Sequence, residues 1–390
     1  MTTTTRIKPD IRTITRLVPP EGNLVQGQSE LAIDPQLARA AGELIAASQN
    51  HYSPAEGDAA LRRAVAEKVR LLNGIEIDPE ARPLELAVTP GATGGLVAFA
   101  HTYLAGASAL VFEPYYPYHR RVIEALGGRA EVLALDAETL QLDRDMLRAL
   151  CRELKGRREF PLRAIICCTP VNPTGKVFTG EELQTIADVC QEFDLLCLSD
   201  EVYEHYVVGA HAHLSIAGLP GMWERTVTVN SFSKSWNISG WRLGYAYGHH
   251  RLLAPLNNAN NVFYVCSPTP LQKALAQVLM ADPHYYQKLR ERFTAKHARA
   301  VAALEGVGFR IYDSGSAFYV WARIPARFDD AMRLNEMLIE RAGVAAVPGN
   351  AFTDSDSWDA YMRLCIARED HVLDGALGKL TGALADGLGD

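Results

Sequence analysis

The sequence has no C-x-x-C pair, no uncharged apolar run of about 18 residues, and no block of like charge. Its seven cysteines, Cys151, Cys167, Cys168, Cys190, Cys197, Cys266 and Cys365, are odd in number and several sit inside apolar runs. A free thiol there acts as a small hydrophobe, so a disulfide framework is excluded and a reducing cytoplasmic setting is expected. The polar start Met1-Thr2-Thr3-Thr4-Thr5 precedes no apolar core of a leader, and neither secretion nor membrane insertion is predicted. Lys and Arg are scattered through a chain of net charge -7, which leaves no footprint for nucleic acid. Expected partners are small molecules or a second copy of the chain. His119, His211, His213, His249 and His250 lack a metal-ligand spacing, and no metal is assigned. A Walker A loop and a G-x-G-x-x-G fingerprint are both missing.

What the chain does have is 48% hydrophobic residues over 390 positions, enough for a large core and more than one compact domain. Apolar runs rich in β-branched residues at 84–89, 109–112, 164–168, 195–199 and 226–229 alternate with helical patterns. That alternation predicts an α/β domain with a mostly parallel central sheet flanked by helices. The helix over 183–193 carries a capping-box spacing, Thr179 with Glu182. Beyond residue 282 come a charged helix at 285–304, strand candidates at 309–312, 317–322 and 361–366, and a helix at 331–342. The predicted organisation is an N-terminal segment (1–45) joining the small domain, a large domain (46–285) and a smaller α+β domain (286–390).

In open α/β sheets ligands collect beyond the carboxyl ends of the strands, and four turns there have complementary chemistry. Pro90-Gly91-Ala92-Thr93-Gly94-Gly95 opens a helix, and its small residues let backbone N–H groups approach an anion. Asn172-Pro173-Thr174-Gly175 offers an amide donor to a phenolate-like oxygen. Asp200-Glu201-Val202-Tyr203 places a carboxylate at a buried strand end, where it needs a cation such as a protonated pyridine. Ser231-Phe232-Ser233-Lys234 follows the run 226–229 and leads to Gly240-Trp241-Arg242-Leu243-Gly244. It combines an amine for an aldehyde with hydroxyls and a guanidinium for a phosphate. Each of the first three is an ordinary turn in isolation, and a single lysine is ordinarily a solvated one. Their combination points to pyridoxal phosphate.

These segments, in this order from Asn50 to Arg363, resemble the class I/II aminotransferases of pyridoxal-phosphate fold type I. The resemblance implies that Lys234 carries the cofactor as a Schiff base and that Asp200 pairs with the ring nitrogen. Asn172 and Tyr203 would bind the ring oxygen, and Tyr115 would stack on the ring face. Gly91, Ala92, Thr93, Ser231, Ser233 and Arg242 would hold the phosphate. Tyr52 resembles the tyrosine that a neighbouring subunit lends to the phosphate, which implies a homodimer. Arg363 would take the substrate α-carboxylate, with Asn172 and a close backbone approach at Gly27.

The implied reaction is ping-pong transfer of an amino group between an L-amino acid and a 2-oxo acid, with Lys234 as general base. The same motifs also serve elimination, replacement and oxidase enzymes, including ones that use S-adenosylmethionine. A ligand-sensing regulator would need a basic binding module that the residues before Tyr52 do not supply. The family's G-x-P-D-F-like segment is replaced here by Gln26-Gly27-Gln28-Ser29-Glu30, so the substrate pocket is expected to differ. Arg120 or Arg121 is a candidate for a side-chain carboxylate, solvated helix arginines being the default. Tyr115, Tyr116, Tyr118, Phe263 and Tyr264 are either pocket aromatics or core packing.

Overall fold

The apolar runs become a central sheet whose strands bury both faces. The computed structural model describes residues 10–313, 315, 316 and 318–385; the threonine run and Ala317 lie outside them. Seven strands form this sheet: β1 (Leu86–Thr89), β2 (Ser108–Glu113), β3 (Arg129–Ala134), β4 (Leu162–Cys168), β5 (Leu196–Asp200), β6 (Thr226–Ser231) and β7 (Gly244–Gly248). Their spatial order is β1-β7-β6-β5-β4-β2-β3. The five from β6 to β3 pair in parallel, while β7 is antiparallel to both its neighbours. Leu84 and Glu85 fall in a 3-10 turn, Pro83–Glu85, so the first strand starts two positions later than its apolar run.

Period-two alternation distributes the side chains between two helical layers. Leu110, Ile165 and Cys197 pack on one face beneath helices Arg144–Lys155 and Gly180–Glu192. Val111, Ile166 and Leu198 pack on the other beneath Gly91–Tyr103 and His250–Tyr264. Helix Gly180–Glu192 has the capping box that its sequence announces, Thr179 and Glu182 each bonding the other's backbone N–H.

A second sheet is antiparallel, in the order β10-β11-β9-β8: β8 (Arg310–Ile311), β9 (Tyr319–Arg323), β10 (Val347–Pro348) and β11 (Tyr361–Cys365). Helices Tyr285–Glu305, Ala331–Ala342 and Asp370–Ala385 contribute Leu304, Leu338 and Leu377 to its core. The N-terminal segment crosses this sheet: the Leu24 N–H donates to the Ala345 carbonyl at 3.0 Å and the Leu24 carbonyl accepts from the Cys365 N–H at 2.8 Å. The segment from residue 22 to 30 thereby reaches the carboxyl ends of the large sheet.

Candidate active site

A cavity of about 660 Å³ opens where those ends meet the small sheet. Cys168 from β4, Asp200 from β5 and Ser231 from β6 reach its floor, each at the last position of its strand. Ala92 and Thr93, at the start of helix Gly91–Tyr103, line it with Ser233 and Arg242. Ser231 caps the short helix Phe232–Ser235, accepting from the Ser233 N–H at 3.1 Å, and the two hydroxyl oxygens are 2.8 Å apart.

Arg242 has φ +54° and ψ +51°, a left-handed conformation unusual for an arginine. Its guanidinium is fixed by the Ser239 carbonyl at 2.8 Å and the Pro90 carbonyl at 3.2 Å. Gly91 does not line the cavity but stands behind this group. A Cβ at Gly91 would come within 2.5 Å of the Arg242 Nη2, and φ is +69° there, so glycine alone allows the approach. Two hydroxyls, a guanidinium and a helix N-terminus together form an anion cradle.

Lys234 projects from Phe232–Ser235 into the same cavity, its amine donating to the Gly27 carbonyl. Burial pulls its pKa down to about 8; Arg363 and Arg242 reinforce the shift, while Cys365 and Asp200 oppose it. Asp200 is gripped from below by His119, with Nε2 at 2.8 Å from Oδ2 and both side chains buried. The Tyr203 hydroxyl lies 2.7 Å from that of Tyr319, and burial pushes the Tyr203 phenol far above its ordinary value.

Arg363, on β11, is buried and donates from Nη1 to the Asn172 side-chain carbonyl at 2.8 Å and from Nη2 to the Val25 carbonyl at 2.5 Å. Its guanidinium also lies over the rings of Tyr319 and Phe352, at 4.5 and 4.9 Å. Nε has no hydrogen-bond partner, and no carboxylate pairs with the group among the described residues. A buried cation without a counter-ion is costly unless an anion arrives. Gly27 lines the cavity beside it, where any Cβ would run into the Tyr319 hydroxyl.

Five residues singled out from the sequence, Tyr115, Tyr52, Arg120, Phe263 and Tyr264, stand elsewhere. Tyr115 packs into the core with Leu96 and Ile123, and its hydroxyl is 3.2 Å from Asp354 and 3.1 Å from Arg120. The Tyr115 N–H is tied to the Phe352 carbonyl at 3.0 Å, and Tyr116, the next residue, stands on the cavity wall. Of the two, Tyr116 is the aromatic on the cavity, its phenol pushed up mainly by burial. Tyr52 is 83% exposed and touches no part of this cavity. Arg120 is paired with Asp354 and Glu124, whereas Arg121 lines the cavity with Tyr118; Phe263 and Tyr264 do not.

His119 and Tyr319 belong to the site without any sequence spacing that announces them, whereas Gln26 and Gln28 come from the segment expected to alter the substrate pocket. For His119 a faint signal exists in retrospect, since it sits three positions after Tyr116, one helical turn on, and packs edge-on to its ring at 5.3 Å.

Residues 21–380 match the family described as aminotransferase class I and II. A probable N-succinyldiaminopimelate aminotransferase of Mycobacterium tuberculosis is 34% identical over 372 residues, covering 92% of this chain and 91% of that one. Human kynurenine–oxoglutarate transaminase 3 is 32% identical over 354 residues, covering 84% of this chain and 77% of that protein. The solved structure of N-succinyldiaminopimelate aminotransferase from Mycobacterium tuberculosis superimposes with a TM-score of 0.89 at 33% identity, covering 96% of each chain. These relatives are named for the transfer of amino groups. The chain belongs to the class I and II aminotransferases, enzymes of pyridoxal-phosphate fold type I.

Proposed function

We propose that this aminotransferase holds pyridoxal 5'-phosphate in the cavity between the two sheets and there exchanges the amino group of an L-amino acid with a 2-oxo acid. The observation that carries the reading is one cavity holding a half-buried amine of lowered pKa, an anion cradle and a buried guanidinium with no carboxylate partner among the described residues. The donor set fits the cofactor: Ser231, Ser233, Arg242 and the helix start at Ala92 and Thr93 suit its phosphate. Asp200 suits a pyridinium, and Asn172 and Tyr203 suit the ring oxygen. Bound there, pyridoxal phosphate supplies a carbonyl for the substrate amine and a conjugated ring that takes up electron density from the α-carbon.

The chain's own groups do the rest. Lys234 needs to be neutral to attack a carbonyl or accept the α-proton, and a pKa of about 8 leaves part of it neutral near physiological pH. The Gly27 carbonyl aims its nitrogen. His119 fixes the Asp200 carboxylate, and the Tyr319 hydroxyl orients that of Tyr203. Arg363 and Asn172 clamp the α-carboxylate, which orients the α-hydrogen toward Lys234. The substrate side chain then points at Gln26, Gln28, Tyr118 and Arg121, a polar and cationic wall that supports a polar or anionic substituent.

Helix His250–Tyr264 ends in exposed Val262, Phe263 and Tyr264, followed by exposed Val265, and Tyr52 is more exposed still. These surfaces support a homodimer in which Tyr52 reaches the neighbour's cradle. Seven free thiols, six of them buried, support a cytoplasmic location. No helix among the described residues is long and apolar enough to cross a membrane. The decisive experiment is anaerobic titration of the cofactor-loaded protein with single amino acids, with absorbance and mass spectrometry as readouts. Equal amounts of 2-oxo acid and the cofactor's amine form are expected; products formed without the amine form would overturn the reading.

A further inference from the structure

Gln26 to Glu30 is the stretch where the sequence leaves the family pattern, and the structure shows what holds it in place. Arg368 follows β11 and is completely buried without lining the cavity. Its Nε donates to the Asn23 carbonyl at 2.7 Å and its Nη2 to the Gln26 carbonyl at 3.1 Å and the Asn23 side chain at 3.5 Å. Nη1 donates to the Gln28 carbonyl at 3.3 Å and pairs with Glu30 Oε1 at 2.6 Å. From behind, the buried Lys296 of helix Tyr285–Glu305 donates to the Arg368 carbonyl at 2.7 Å, and the Glu30 N–H reaches the Ala367 carbonyl at 3.0 Å.

The fork is therefore spent mainly on main-chain carbonyls. A guanidinium has five donors in a rigid plane, so it can template a backbone path whatever side chains that path carries. The templated path delivers three things to the site: the Val25 carbonyl to Arg363, the Gly27 carbonyl to Lys234, and the side chains of Gln26 and Gln28 to the wall. A buried cation is an expensive way to gain stability alone, because an apolar replacement of similar volume often folds as well. Fixing one conformation is the better-attested use of such a group.

We propose that Arg368 is a positioning residue for substrate recognition: through the carbonyls of Asn23, Gln26 and Gln28 it sets the wall against which the substrate side chain is read, leaving residues 26 and 28 free to define its chemistry. The proposal rests on the reading of the cavity as the active site. Arg368→Met and Arg368→Lys are compared with wild type as cofactor-loaded enzymes, measuring kcat and KM for a small neutral donor and for a long polar donor, with amide hydrogen exchange of the same proteins. Arg368→Met is expected to raise the donor KM about tenfold, equivalent to one broken recognition contact. It should change kcat less, shift the preference between the two donors, and speed exchange within residues 23–30. Arg368→Lys, which keeps the charge but loses the fork, should fall between.

Unchanged KM and unchanged donor preference would overturn the proposal, as would unchanged exchange in that segment. If Arg368→Met does not accumulate folded, Arg368→Lys carries the same test with the same overturning result. A wild-type enzyme that converts neither donor would sink the active-site reading instead, while the exchange comparison would still report on the clamp.

Discussion

The floor and the roof of this cavity are built by different means. The floor residues Asn172, Asp200, Ser231, Ser233 and Lys234 lie at or just past the ends of β4, β5 and β6, parallel strands locked in one sheet, and Arg242 comes from the turn that enters β7. The roof sets Gly27 and its neighbours beside Tyr319 and ties them to Arg363 and Arg368, residues far away in sequence, through side chain to main-chain hydrogen bonds. Phosphate, ring and lysine have fixed dimensions, and the floor meets them with rigid strand ends. A substrate side chain differs from enzyme to enzyme, and the roof meets it with a segment whose path is held separately from its side chains. The expected consequence is that floor lesions strike the cofactor and its chemistry, while roof lesions leave the cofactor bound and weaken substrate recognition.

The severest break of the floor is Lys234→Ala. Turnover with every donor should fall by at least about 10³-fold, the scale of a missing general base and nucleophile. The titration of Lys234 sharpens the same point. Because burial holds its pKa near 8, the amine is protonated below that pH and neutral above it. Capture of pyridoxal phosphate by the cofactor-free protein should therefore speed up with rising pH and level off above about 8 in stopped-flow absorbance. An exposed lysine would continue to gain toward about 10.4.

On the roof, Arg363→Lys should lower kcat/KM for all amino acids about 100-fold while cofactor content stays at the wild-type level. A lysine cannot reproduce the planar two-point contact with a carboxylate. Loss of cofactor together with activity would show that Arg363 belongs to the floor after all. Gly27→Ala is milder and reaches both sides. The added methyl displaces the Tyr319 hydroxyl, which is bonded to that of Tyr203, and overpacking of this kind costs about 1–3 kcal/mol. Donor KM should rise, with a shift in the bound cofactor's absorbance because the ring-oxygen partner has moved.

The same division explains what could be read from the sequence. Residues 164–168, 195–199 and 226–229 announce their strands by continuous apolar runs, and the floor residues follow them directly, so strand end and chemistry are legible together. Two strands of the central sheet are not legible: β3 is an edge strand with an exposed, charged start, and β7 reads Gly-Tyr-Ala-Tyr-Gly, with glycine at both ends. Tyr319 is silent and His119 nearly so, because each acts through a partner distant in sequence, Tyr203 and Asp200. Arg368 is silent for the same reason, its partners lying near the other end of the chain. Local pattern carries the floor; the roof exists only once the two ends of the chain have met.

Tyr115 and Tyr116 offer the finest discrimination, two adjacent tyrosines of which sequence resemblance favours the first for the ring face and the structure favours the second. Tyr115 belongs to the core, and its hydroxyl meets Asp354 and Arg120 at the junction of the two sheets. Tyr115→Phe keeps the buried ring and removes that hydroxyl alone. It should cost about 1 kcal/mol of stability, read as a small fall in Tm, with donor kinetics and cofactor absorbance unchanged. Tyr116→Leu removes an aromatic face from the cavity wall and should leave Tm nearly unaltered while cofactor affinity drops several-fold, the scale of a lost ring contact. The opposite pattern, with Tyr115→Phe perturbing the cofactor spectrum and Tyr116→Leu silent, would return the ring face to Tyr115.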